Sequence, residues 1–200
     1  MGQAARVVRS SPKARRYLIR EPAQLRTLSS PVRQEILDAL AAAGESSIAE
    51  VAALLGRQPH ALYYHLRALE RVGLVRRAGT RRNGKSDAVL YAVPAPRMLI
   101  EYRFGARSFA ADMAKTLRSM LRLTERDFRR ALRLRTSLAE GPARNLLCSR
   151  TKARMTVQQL TRINAHFAAV FEELAGAQGQ HTGRLHAMTL VITPLEGGGA

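Results

Sequence analysis

Between residues 30 and 73 the chain is cut by its own punctuation into three short segments. Ser30 stands before Pro31, a cap followed by a residue suited to the first helical position. Gly44 stops that segment. Ser47 and Glu50 have capping-box spacing, and Gly56 closes the second segment. Pro59 is tolerated in the first turn of the third, and Gly73 ends it. Only Arg57 and Gln58 lie between Gly56 and Pro59, so the second and third segments are joined by a short turn. Each segment carries an apolar face at helical spacing: Ile36, Leu37 and Leu40, then Val51, Leu54 and Leu55, then Leu62, Leu66 and Leu69. The spacing predicts helices over Ser30–Ala43, from Ser46 or Ser47 to Gly56, and over roughly Gln58–Arg71.

Next comes Leu74-Val75, then a basic loop from Arg76 to Lys85, then the apolar run Ala88–Val93. Asn83-Gly84 is a hairpin signal between two short strand candidates. Three helices and a basic hairpin form a coherent domain over residues 24–97, and Pro94 and Pro96 punctuate its end. A DNA major groove admits one α-helix, and a short turn can hold a second helix against it. With Leu62, Leu66 and Leu69 inward, the third helix offers His60, Ala61, Tyr63, Tyr64 and Arg67 outward. The basic wing, with Arg76, Arg77, Arg81, Arg82 and Lys85, is placed to cross a minor groove or ride the phosphate backbone.

Charge points the same way. The 200 residues hold 33 Lys and Arg against 15 Asp and Glu, a formal +18. The distribution is blocky: +6 in residues 1–20, −2 in 21–70, and +6 again in 71–97. Such clusters favour a polyanion, either nucleic acid or an anionic membrane surface. Charge alone does not choose between them. A groove-sized helix flanked by a basic arm (residues 1–23) and a basic wing makes duplex DNA the leading choice. No apolar run approaches a membrane span, and no signal core follows the basic N-terminus. A cytoplasmic protein with no membrane partner is therefore expected.

Leu28-Ser-Ser-Pro-Val-Arg-Gln-Glu-Ile-Leu-Asp-Ala-Leu40 resembles the opening helix of ArsR-type winged-helix repressors. Leu62-Tyr-Tyr-His-Leu-Arg-Ala-Leu-Glu-Arg-Val-Gly-Leu-Val75 resembles their recognition helix and its exit. The resemblance covers about residues 25–93. It implies a dimeric transcription regulator on a two-fold operator, often released by a metal or other effector. The family's DNA-approaching positions fall here at Gln58, His60, Ala61, Tyr64 and His65. Two aromatics and Pro59 depart from the commoner Ser/Thr-rich helix. Two readings of His65 stand side by side, a packed or capping histidine and a DNA contact.

The second half, residues 98–195, reads as a mainly helical dimerisation region. A helix is expected from Met98 to about Leu121, with Tyr102, Phe109, Met113 and Leu117 near one face. Thr124 and Asp127 open a further helix through about Arg135. Leu160, Ile163, Phe167, Val170, Phe171 and Leu174 form a stripe that favours packing on another helix. Dimerisation alone is preferred over dimerisation plus a small-molecule effector cavity lined by Phe104, Phe109, Met113, Phe167 and Phe171. Residues 184–195 are expected to form a terminal strand, and 196–200 a flexible tail. Cys148 is a lone thiol, expected as a buried small hydrophobe. No metal site is expected, although His181 and His186 could in principle share one with an acid. No catalytic motif is present, and no cofactor is expected. The fold expected is mainly α with a small β wing: a winged helix-turn-helix, a C-terminal helical region and a terminal strand. The competing class is a winged-helix module that binds protein or RNA without operator specificity.

Overall fold

A computed structural model describes residues 16–83, 86–95, 97–180 and 182–195. Most of the basic arm, the Gly84-Lys85 hairpin tip, His181 and the 196–200 tail lie outside the described residues. The described part is mixed α/β, with six helices and a small antiparallel sheet.

Strand β1 (Arg16–Ile19) is followed by α1 (Pro22–Thr27), α2 (Pro31–Ala43), the two-residue β2 (Ser46–Ser47), α3 (Ile48–Leu55) and α4 (Pro59–Arg71). Pro31 and Pro59 each sit in the first turn of their helices, where a missing N–H costs nothing. Ser47 caps α3 in a full capping box with Glu50. Gly56 ends α3 in the left-handed region at φ 61, where a Cβ would be strained. Ile36, Leu40, Val51, Leu62, Leu66 and Leu69 are all but inaccessible and form one core with Leu74 and Val75. Within α3, Ile48 and Ala52 join Val51 inside, whereas Leu54 is 50% exposed. The inward face of α3 is thus rotated away from the expected Leu54 toward Ile48 and Ala52.

The expected basic loop is a strand. β3 (Arg76–Asn83) pairs antiparallel with β4 (Ser86–Ala92), and β4 also pairs with β2, giving the order β2-β4-β3. The ladder satisfies the backbone while the arginines stay in water, so charge did not prevent strand formation here. A bulge between Arg77 and Gly79 shifts the register, and Gly79 supplies φ 137.

The structure differs from expectation at four further places. Strand β1 pairs parallel with β5 (Arg97–Ile100), so Met98–Ile100 form a strand where the start of a helix is expected. Ile19 enters the core and Tyr17, Met98 and Ile100 pack on it, so burial overrides the helical pattern. Helix α5 begins only at Arg107 and runs unbroken to Ala131 (Arg107–Ala131). Thr124 starts no new helix, because its hydroxyl bonds back to the Met120 carbonyl at 3.0 Å. Residues 184–195 join no sheet. They are held instead by contacts such as the 2.7 Å hydrogen bond between the Thr189 and Thr124 hydroxyls. α6 (Val157–Ala177) opens with a Thr156–Gln159 capping box. Cys148 is exposed, not buried.

Helix α5 packs on the domain by an unexpected face. Its buried residues are Asp112, Thr116, Ser119 and Leu123, mostly polar. The Thr116 hydroxyl donates to the Leu25 carbonyl at 3.0 Å, and the Gln34 amide donates to the Leu28 and Thr116 carbonyls. Arg26 lies 3.5 Å from Asp112. Asp112 and Thr116 thus find partners on α1 and α2, the Ser119 hydroxyl is enclosed without one, and the apolar flank with Phe109, Met113, Leu117 and Met120 stays half-buried.

Burial sets the expected mutational profile. Leu66→Ala should cost about 2–5 kcal/mol of folding free energy, as other buried leucines do. Leu54→Ala should cost less than about 1 kcal/mol, as a half-exposed surface change. Urea denaturation of both variants checks this, and equal losses would contradict the observed rotation of α3.

Candidate nucleic-acid interface

Helix α4 divides cleanly. Leu62, Leu66 and Leu69 hold one side in the core. Gln58, His60, Ala61, Tyr63, Tyr64 and Arg67 lie exposed on the rest. Tyr64 is 75% and Tyr63 45% exposed, so neither ring fills the interface with another helix. Gln58 caps the helix with an extended backbone, at the end of the short turn from α3. Early α4 therefore stands clear of the domain, in the geometry a groove requires.

His65 is placed differently. It is half-buried, and its Nδ1 is enclosed without a hydrogen-bond partner. The Tyr64 ring meets it edge-on at 5.4 Å between centroids. Burial pulls its pKa below the ordinary value, and the positive charges of Arg33 and Arg57 pull it further. The imidazole is therefore neutral at pH 7.

The wing carries Arg76, Arg77, Arg81 and Arg82 on β3, all exposed. Three of them already have acid partners. Arg76 lies 3.9 Å from Glu45, Arg77 lies 2.9 Å from Glu70 of α4, and Arg81 pairs with Glu50 of α3. Accepting from Ser47 chiefly, and pairing with Arg81, holds the Glu50 carboxyl below its ordinary pKa. Exposed pairs of this kind contribute about 0–1 kcal/mol, so a phosphate can replace the acid. Among the described residues Arg67 and Arg82 have no ion pair. Lys85 lies outside the described residues.

One cluster had no sequence signal. Glu35 of α2 is buried, and its two oxygens take Arg57 at 2.8 Å and Arg126 of α5. Arg126 also pairs with Asp127 at 2.7 Å. Arg57 is the turn residue next to Gln58. The turn that aims α4 is thus tied to α2 and to the C-terminal end of α5. Partners 22 and 91 positions apart leave no local pattern to read.

The expected dimerisation residues fall on two separate elements. Tyr102 stacks on Phe104 at 6.1 Å and meets Phe109 edge-on at 6.2 Å, two exposed rings before α5 against a half-buried one in its first turn. Met113 and Leu117 are half-buried. On α6, Leu160, Ile163, Phe167, Val170 and Phe171 are half-buried, Leu174 is exposed, and no residue is fully buried. Arg97 lies 4.9 Å over the Phe171 ring and 3.6 Å from Glu172. Phe167 and Phe171 line a groove with Arg97, Asn164 and residues 190–192. Phe104, Phe109 and Met113 take no part in it, so the residues of the alternative effector cavity do not line one groove within the described chain.

Among the described residues no group of three or more His, Cys, Asp or Glu is arranged to hold a metal ion. His186 is exposed, its ring Nδ1 2.9 Å from the Arg184 carbonyl. No described helix is long and apolar enough to cross a membrane.

Residues 28–78 match a family model described as a helix-turn-helix domain. The match runs from just before α2 into β3 and takes in the whole of α3 and α4. No curated protein matches the chain.

The enclosed His65 ring sets a pH dependence. A folded-state pKa below the unfolded value means that the unfolded chain takes up the proton first. Stability is therefore full above about pH 6.5 and falls as the pH drops toward the folded pKa. Thermal melts at pH 7.5 and 5.5 should show a smaller loss for His65→Gln than for the parent. An unchanged loss would place the ring in solvent.

Proposed function

We propose that the chain is a sequence-specific duplex-DNA-binding transcriptional regulator, acting as a homodimer that represses by occupying promoter DNA. The observation that carries this is the division of α4. Three leucines fix its rotation, and Tyr64, Tyr63, Arg67 and His60 stand outward at the end of a short turn. That arrangement, within a helix-turn-helix match, is the one that places a recognition helix in a major groove. Arg67 is the candidate for a guanine edge or phosphate, and Tyr64 and His60 for base edges. The wing would hold phosphates through Arg82 first, since Arg76, Arg77 and Arg81 must exchange an acid for a phosphate.

The dimer is supported by the half-buried apolar flank of α5 and by α6, which buries no residue completely within one chain. Two copies would set the two α4 helices about 34–36 Å apart on a two-fold site. The ArsR-type resemblance fits this reading, and the place of work would be the cytoplasm, on nucleoid DNA. A module that binds RNA is the second reading. It is favoured by one observation: a tyrosine as exposed as Tyr64 can stack on an unpaired base.

Competition among a selected duplex, matched single-stranded RNA and heparin separates the two. Preference for the duplex supports the DNA reading, and preference for RNA overturns it. Arg67→Ala should cost about 1–3 kcal/mol of discrimination at one base pair. Arg82→Ala should weaken all duplexes alike and lower the salt slope by about 0.9. Arg81→Ala should do less, because Glu50 already neutralises it. Equal losses from all three on every duplex would contradict this division. Sedimentation at concentrations that saturate the site should show a dimer, and a monomer there would remove the paired-helix arrangement.

A further inference from the structure

We propose that residues 133–154 form a second, sequence-independent duplex contact, gripping phosphates beside the site that α4 reads. The inference rests on the DNA reading above.

The segment carries Arg133, Arg135, Arg144, Arg150, Lys152 and Arg154 against the single acid Glu140. All six cations are exposed. None forms an ion pair among the described residues, whereas three of the four wing arginines do. The largest block of unneutralised charge in the described chain therefore lies here, outside the helix-turn-helix.

The Glu35 cluster places the helix from which the segment departs. Arg126 and Arg57 share the Glu35 carboxylate, so the last turns of α5 stand beside the turn that leads into α4. The segment leaves α5 from that end. Its first part is also held. The Ser137 hydroxyl donates to the Ala131 carbonyl at 2.6 Å. The Asn145 side chain closes a loop by accepting from Leu138 N at 2.8 Å and donating to the Thr136 carbonyl at 3.1 Å. Residues 145–156 then run without helix or sheet. There Arg150, Lys152 and Arg154 alternate with Thr151, Ala153 and Met155.

The charge also selects the occupant. A second copy would meet these cations with a chain of 33 bases and 15 acids. Glu35, Glu45, Glu50 and Glu70 near α4 are already paired. A polyanion fits, and the tie to the α4 turn makes it the duplex that α4 reads.

The test uses the full chain and two duplexes of the selected site. One ends at the site's edges. The other adds about ten base pairs on each side, since ten extended residues reach about 33 Å and a base pair rises about 3.4 Å. The parent should bind the longer duplex about 10–100-fold more tightly in low salt, with a steeper salt slope. A variant with Arg133, Arg144, Arg150, Lys152 and Arg154 all changed to Gln should lose that gain. Its slope on the longer duplex should fall by up to about 4.5, at 0.9 per phosphate for five cations. It should bind the short duplex as the parent does. A companion with the four arginines changed to Lys should keep the gain, which separates charge from folding. Equal parental affinity for both duplexes would overturn the proposal, as would a Gln variant that keeps the gain. Tighter parental binding to vesicles of anionic phospholipid than to the longer duplex would overturn it in favour of a membrane. Failure of the parent on the short duplex is a different result, and it overturns the DNA reading itself.

Discussion

The burial of Leu62, Leu66 and Leu69 is the constraint on which the rest of this molecule depends. A helix held by three residues on one stripe has no freedom to turn about its axis. The same three contacts that stabilise the domain therefore decide which side chains of α4 face outward. Core formation and site formation are one event here. His60, Tyr63, Tyr64 and Arg67 are exposed because the leucines are not. The capping box of Ser47 and Glu50 and the left-handed Gly56 add the second coordinate, since they fix where α3 ends and α4 begins.

The buried Glu35 carboxylate supplies the third. It joins α2, the α3–α4 turn and α5 through Arg57 and Arg126. Removing one member of such a group strands a charge, which costs far more than the intact group contributes. The cluster makes α5 part of the same body as the turn. Together with the Thr116 and Gln34 hydrogen bonds, it explains why α5 buries a mostly polar stripe and leaves its apolar flank half-buried. A helix that binds its own domain through hydrogen bonds keeps part of its hydrophobic surface for something else.

Local signals carried the helix-turn-helix. Pro31, Gly44, Ser47, Gly56, Pro59 and Gly73 act within a few residues of themselves, and each bounds or caps a helix near its expected position. The leucine stripe of α4 follows from a period of 3.6 residues, which a sequence displays directly. Long-range pairing was not legible. β1 and β5 are paired across the whole domain, and neither has a pattern that names the other. The strand character of Arg76–Asn83 was masked by its arginines, although their exposed positions tolerate charge. The inward face of α5 was hidden for the opposite reason. The rule that apolar faces turn inward fails where polar side chains such as Asp112 and Thr116 find partners across the interface. Residues 184–195 read as a strand on composition, but no sheet edge receives them.

The central claim is that α4 enters a major groove and reads it. Methylation of guanine N7, which lies in that groove, tests this directly on a selected site. Methylation should block binding in two windows about 34–36 Å apart, and Arg67→Ala should relieve the block at a guanine within them. Binding indifferent to N7 methylation throughout the site, with equal affinity for unrelated duplexes, would contradict it.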